Sequence, residues 1–202
     1  RSGTTCFNDM YFFPDVTGRV AAQAGMRAIV GLIVVDFASA WASDADAYFD
    51  RAIAVHDQFR NDPLVGTAFA PHAPYSVSDS SLRRVEVLAN ELDLPVHMHV
   101  HETAAEVRGG LEQSGHRPIE RLRRLDLVSP ALLAVHMTQV EPEEIELFAS
   151  NGAHVVHCPE SNLKLASGHC PVVRLLDAGI NVALGTDGAA SNNDLDMLGE
   201  MH

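Results

Sequence analysis

The chain has 202 residues, 47% of them hydrophobic and 20% charged, which is enough for one sizeable domain with a core of its own. Lys and Arg number 14 against 27 Asp and Glu, a formal charge of -13, and this excludes a basic phosphate-binding face and with it nucleic acid as a partner. No apolar run is long enough to cross a bilayer, so no membrane partner is expected.

The N-terminal stretch RSGTTCFNDMYF lacks the basic, apolar and cleavage regions of a secretory signal. Cys6, Cys158 and Cys170 are odd in number, far apart and without a CxxC pair, which fits a reducing cytoplasm. In chain order, β-rich runs are predicted at Gly3–Asn8, Arg27–Val35, Leu64–Ala70, Val96–His101, Leu132–Met137, His154–Cys158 and Asn181–Gly185. Amphipathic stretches lie between them. Leu82, Val85, Leu88 and Leu92 repeat at helical spacing after the Ser/Asp-rich start VSDSS. EPEEIELFASNG has Pro142 in a first turn and Gly152 at its end, and CPVVRLLDAG repeats the pattern with Pro171 and Gly179. The stretch His157–Gly168, HCPESNLKLASG, is polar and irregular and reads first as a surface loop.

Strands alternating with helices imply a parallel sheet. An open nucleotide-binding sheet should carry GxGxxG or a P-loop near its first strand, and neither is present. A closed (β/α)₈ TIM-type barrel should carry reactive residues at the C-terminal ends of many strands. The strand ends here read CFND, APHAP, HVHET, VHMT, VHCPE and GTDG, so a barrel is the expected fold. A barrel has eight strands and typically about 250 residues. Seven strands are legible, so residues 1–202 are expected to be a single catalytic barrel domain, incomplete at both ends.

The stretch VHMHVHET puts His97, His99 and His101 at period two, on one face of a strand. A lone histidine there reads as a hydrogen-bonded core residue. Three, followed by Glu102, need satisfied partners, and a metal is an efficient partner for imidazole. His136 ends LLAVH and Asp187 ends NVALGTD; each can cap a loop or helix, yet barrel strand ends converge on one mouth. Nitrogen and carboxylate ligands from separate strands, with a position open to water, describe a catalytic zinc site. Glu102 beside it suits proton transfer. His72, in APHAP, has a structural reading and a substrate-contacting one. Ser161 and Asn162 directly follow a strand end, where a barrel places substrate contacts.

Taken together, GTTCFNDMYF, APHAPYSVSD, HVHET, AVHMTQV, HCPESNLKLASG and GTDGAASNNDLDM resemble the amidohydrolase superfamily, and within it the 5-methylthioadenosine/S-adenosylhomocysteine deaminase branch. The resemblance runs essentially end to end. It implies a barrel of the metal-dependent hydrolase kind holding one divalent metal, zinc foremost, with Fe²⁺ or Mn²⁺ as alternatives. It implies His99 and Asp187 as metal ligands, Glu102 as proton shuttle, and His136 at the reacting centre. His72 and Asp15 are implied as substrate contacts. His97 and His101 fall outside the pattern and are expected to support the pocket. The family's HxH ligand pair on the first barrel strand and its flanking β-sandwich are not supplied by this chain. The implied reaction is hydrolytic deamination of adenosine derivatives, 5'-methylthioadenosine and S-adenosylhomocysteine, to the inosine analogue and ammonia. The partner is a small nucleoside, and a homo-oligomer is compatible with it. Rival expectations are a guanine deaminase, a triazine chlorohydrolase, or an inactive metal-deficient piece.

Overall fold

The computed structural model describes residues 2–202, and the chain divides into two compact units, Thr4–His97 and, for the most part, Met98–His202. Among the described residues there are seven strands, the number expected from the sequence.

The first unit runs β1 (Cys6–Asp9), α1 (Pro14–Gln23), β2 (Arg27–Val34), α2 (Ala45–Phe59), β3 (Val65–Pro71) and α3 (Asp79–Leu92), and ends in the start of β4 (Val96–Val100). The pairing is parallel, from Cys6 against Arg27 in β1–β2, from Ala28 against Val65 in β2–β3, and at Phe69 against Val96 in β3–β4. β2 is buried on both faces, as parallel strands covered by helices must be; Val30, Leu32 and Val34 are inaccessible to solvent. Tyr48 and Phe49 of α2 and Leu82 and Val85 of α3 supply the buried helical faces. Two N-caps fix where these helices begin. Asp44 accepts the N–H of Ala47 at 2.9 Å, and Ser78 that of Ser81 at 3.3 Å. Asp36, just past β2, ties the second cap down by accepting from the N–H of Ser78 and the hydroxyl of Ser81, both at 2.7 Å.

The second unit holds the rest of β4, then α4 (Ala104–Ser114), α5 (Pro118–Arg124), β5 (Leu132–His136), α6 (Pro142–Asn151), β6 (His154–His157), α7 (Pro159–Lys164), α8 (Val172–Asp177), β7 (Val182–Leu184) and a 3₁₀ turn at Gly199–Met201. Its strands also follow chain order, β4 to β7, with parallel registers Leu133 against His154 and Val155 against Val182. α6 carries a capping box: Glu144 returns to accept the N–H of Glu141 at 2.9 Å. It ends, as its sequence predicts, on Gly152 in the left-handed conformation, φ 69°.

Two sequence expectations need correction. His157–Gly168 is not simply a surface loop: it contains α7, whose Ser161 and Asn162 are buried. Pro159 sits in the first turn of α7, a helix start that the polar composition masks. Nor do the three histidines of VHMHVHET share one face. β4 stops at Val100, and His101 turns into the left-handed region at φ 52°. Its ring is fully buried, with Nδ1 3.1 Å from the carbonyl of Gln139 and Nε2 accepting the N–H of Ile119 at 3.3 Å. Period two ends where extended backbone ends, so His101 serves the helical layer while His97 and His99 keep the strand's alternation.

Candidate active site

The second unit gathers its polar side chains where strands end. Glu102 follows β4, His136 is the last residue of β5, Ser161 and Asn162 sit on α7 just past β6, and Asp187 follows β7. The backbone there is unusual. His101, His136, Met137 and Asp187 all have positive φ, at 52°, 79°, 49° and 58°. Left-handed conformations in non-glycine residues cost energy and cluster where side chains must be aimed.

His136 is 1% exposed and stands at the centre. Its Nδ1 is 2.9 Å from Oδ1 of Asn162. Its Nε2 lies 3.8 Å from Oε2 of Glu102 and 4.0 Å from Oδ2 of Asp187, close to both carboxylates and hydrogen-bonded to neither. The ring of His99, from β4, lies 5.2 Å away, centroid to centroid, at an interplanar angle of 30°.

Asp187 is held from three sides. Ser161 and Ser191 donate hydroxyls to Oδ2 at 2.6 and 2.8 Å, and the N–H of Gly188 donates to Oδ1 at 2.7 Å. Burial pushes this carboxyl up, but the two hydroxyls, the N–H and His136 outweigh it and hold the group below the usual carboxylate range.

Glu102 is positioned through its backbone. Its N–H donates to Glu106 at 2.7 Å, and its carbonyl accepts the hydroxyl of Thr138 at 2.6 Å. Ser167 approaches the carboxylate, Oγ to Oε1, at 3.5 Å. Glu106, Thr138, Ser167 and Ser191 were not singled out in the sequence. Glu106 had a signal, because Thr103-x-x-Glu106 has the sequence of a capping box: Thr103 accepts the N–H of Glu106 at 3.1 Å, while the Glu106 carboxylate reaches past Thr103 to Glu102 and His101.

His99, Glu102, His136, Ser161, Asn162 and Asp187 thus belong to one unit, and Glu102 and Asp187 both approach the Nε2 edge of His136. Ser161 and Asn162, expected against substrate, have Asp187 and His136 as side-chain partners. His72 and Asp15 belong to the first unit. Burial lowers the pKa of His72, whose Nδ1 is 2.9 Å from the Ser76 hydroxyl. Asp15 pairs with Arg19 at 2.7 Å in the first turns of α1.

The donor set suits a divalent metal. Imidazole and carboxylate are zinc's usual N and O ligands, with bonds of about 2.0–2.2 Å. The Glu102 and Asp187 carboxylates both approach His136 Nε2 without a hydrogen bond to it, an arrangement that a nearby cation would stabilise. Among the described residues no group of three His, Cys, Asp or Glu closes on a point by itself, so these residues fit as part of a coordination sphere.

Parallel strands in chain order, a helix after each of β1 to β6, and polar residues at the strand ends describe a partial (β/α)₈ barrel. The amidohydrolase family model matches residues 1–202, and the chain belongs to that family. It is 51% identical over 200 residues to the 5-methylthioadenosine/S-adenosylhomocysteine deaminase of Teredinibacter turnerae, covering 99% of this chain and 45% of the relative. It is also 51% identical to the same-named protein of Saccharophagus degradans, again over 45% of that relative. The chain therefore spans about half the length of the curated relatives it matches. Among solved structures, an adenosine deaminase from Xanthomonas campestris with bound zinc superposes with a TM-score of 0.97 at 59% identity, covering 98% of this chain and 45% of that one. A guanine deaminase from C. acetobutylicum with guanine in its active site superposes with a TM-score of 0.83 at 26% identity, covering 94% and 48%.

Proposed function

We propose that the protein of which this chain forms part hydrolytically deaminates adenosine derivatives, 5'-methylthioadenosine and S-adenosylhomocysteine foremost. The observation that carries this reading is the approach of Glu102 and Asp187 to the Nε2 edge of His136, at 3.8 and 4.0 Å. Two deaminase-named relatives at 51% identity support the substrate class.

In this reading His99 and Asp187 hold a divalent metal, zinc foremost, alongside ligands from outside the 202 residues. A bound divalent ion lowers the pKa of water toward neutrality. Asp187, a carboxylate kept ionised by its hydroxyl donors, takes a proton from the attacking water. Glu102 protonates a ring nitrogen, which makes the amino-bearing carbon electrophilic. The water oxygen bonds to that carbon. His136, at the reacting centre, accepts a hydrogen bond from the attacking water through Nε2 and keeps its oxygen aimed at that carbon. Glu102, now ionised, takes the proton of the added hydroxyl and delivers it to the amino group, the C–N bond breaks, and ammonia leaves the inosine analogue; the proton on Asp187 then returns to Glu102 through solvent and restores the starting state. His72 and Asp15 are proposed as substrate contacts on the resemblance of APHAP and MYFFPD. Three unpaired cysteines support a reducing, cytoplasmic location, and no described helix is long and apolar enough to cross a membrane.

The test uses the full-length protein loaded with zinc and assayed with 5'-methylthioadenosine, S-adenosylhomocysteine, adenosine, guanine and a chlorotriazine. Loss of adenine absorbance with stoichiometric ammonia is expected for the adenosine derivatives. A zinc-loaded full-length protein that leaves all of these adenosine derivatives intact overturns the proposal. The 202-residue chain alone is expected to be inactive, because it lacks the remaining ligands.

A further inference from the structure

Asn162 is 2% exposed and its backbone is tied at both ends, the N–H to the carbonyl of Cys158 at 3.0 Å and the carbonyl to the N–H of Ser167 at 2.9 Å. Its side chain spans two histidines. Oδ1 lies 2.9 Å from Nδ1 of His136, and Nδ2 lies 3.5 Å from Nδ1 of His157. An amide oxygen can only accept, so this contact requires a proton on His136 Nδ1. A neutral imidazole with that proton has a bare lone pair on Nε2. That nitrogen is the one facing Glu102 Oε2 and Asp187 Oδ2.

We propose that Asn162 is a positioning residue: it fixes the Nδ1–H tautomer of His136 and so presents a bare Nε2 to the space shared with Glu102 and Asp187. The proposal rests on the deaminase reading for its kinetic arm only. It changes what α7 is for. Ser161 holds Asp187 and its neighbour Asn162 holds His136, so adjacent residues of one short helix orient two different groups. The His99 ring also lies beside His136, 5.2 Å away between centroids. Both side-chain termini of Asn162 face histidines, Oδ1 towards His136 and Nδ2 towards His157.

The experiment compares wild type, Asn162→Asp and Asn162→Leu in the full-length protein. Long-range ¹⁵N NMR of the metal-free form at pH 8 reads the tautomer of His136. Wild type should show a protonated Nδ1 and a bare Nε2, Asn162→Asp should keep that pattern, and Asn162→Leu should give a tautomer mixture. With zinc, Asn162→Leu should lower kcat by about 10–100-fold at near wild-type KM, with partial recovery in Asn162→Asp. An Nε2–H or doubly protonated ring in wild type, or an unchanged tautomer in Asn162→Leu, overturns the proposal. So does a KM effect without a kcat effect, which marks a substrate contact. If Asn162→Leu does not fold, Asn162→Ser, which withdraws the acceptor from Nδ1, replaces it. If no substrate turns over, the deaminase reading fails and the NMR arm still decides the tautomer.

Discussion

The carboxylate of Glu106 accepts the backbone N–H of Glu102 at 2.7 Å, and its second oxygen accepts that of His101 at 3.0 Å. Burial pushes the Glu106 carboxyl above the usual carboxylate range, and the backbone N–H groups of Glu102 and His101 offset only part of that rise. A helix cap that ordinarily reaches its N-cap residue reaches one and two positions further here, and holds the turn that aims Glu102. Glu106→Ala leaves two donors without their acceptor. The expected loss is about 1–3 kcal/mol for each N–H, read by chemical denaturation. Glu106→Gln keeps one acceptor oxygen and should lose about half as much. Equal stability of all three proteins would remove Glu106 from this role.

His101 makes stability depend on pH. Its Nδ1 faces a carbonyl and must carry the proton, while its Nε2 accepts an N–H and must not. A second proton would meet the N–H of Ile119 head-on. Burial accordingly holds its pKa down to about 4, with Glu144 opposing and Arg117 reinforcing the shift. Between about 4 and the ordinary value of 6.5 the unfolded chain binds the extra proton and the native state does not. Stability therefore rises with pH through that window, is complete above 6.5, and is lost as pH falls toward 4. The loss is on the order of 3 kcal/mol. Denaturation midpoints across pH 4–7 should flatten in His101→Gln relative to wild type.

Much of this was legible in the sequence, and for local reasons. All seven strands lie close to their expected positions, because apolar runs bounded by glycine, proline and polar residues are a local signal. Asp187, His136 and His99 stand out as chemistry-bearing groups at or near strand ends. What stayed hidden is what depends on backbone turns and long-range contacts. Nothing local announces φ 52° at His101, so the histidine triplet looked continuous. Ser191 looks like any loop serine until Asp187 turns left-handed and brings its carboxylate 2.8 Å from the hydroxyl. Asn162 meets His136 across 26 residues of chain, a separation that periodicity cannot address.

Ser161 and Ser191 both donate to one oxygen of Asp187, and this fixes which way the carboxylate faces. Hydrogen-bonded outer partners of a metal-binding carboxylate typically sustain about 10–100-fold in affinity or activity. Ser161→Ala and Ser191→Ala in the full-length protein should each weaken zinc retention within that range, measured by competition with a chromophoric chelator. The double variant should lose more than the sum of the two single losses, because in each single variant the other hydroxyl still anchors the same oxygen. Unchanged zinc affinity in both variants would assign the hydroxyls to folding alone.

The thiols should divide by burial. Cys6 is exposed, whereas Cys158 and Cys170 are buried; burial pushes the Cys170 thiol to about 12 and Cys158 higher still. A thiolate is the reacting species, so iodoacetamide at pH 8 should label Cys6 alone in the native protein and all three after denaturation. Mass spectrometry of the peptides reads the result, and native labelling of Cys170 would contradict the buried placement.

Gly168 is where a single methyl group should be felt. Its φ of 128° lies in a region that side chains rarely adopt, and a Cβ there would stand 2.6 Å from Nε2 of Gln139 and 3.1 Å from Oγ1 of Thr138. Those atoms are engaged. The Gln139 amide donates to the Ser167 carbonyl at 2.9 Å and to Thr138 at 3.0 Å, and Thr138 donates to the Glu102 carbonyl at 2.6 Å. The methyl would displace the amide and press on the threonine, carrying the disturbance to the backbone of Glu102. Gly168→Ala should cost about 2–4 kcal/mol from backbone strain and crowding together. Gly109→Ala is the control, since it lies in α4 with nothing within 4 Å of its Cβ and should stabilise by up to about 1 kcal/mol. Paired denaturation curves decide the matter: if the two alanines shift stability alike, the path from Gly168 through Thr138 to Glu102 carries no strain.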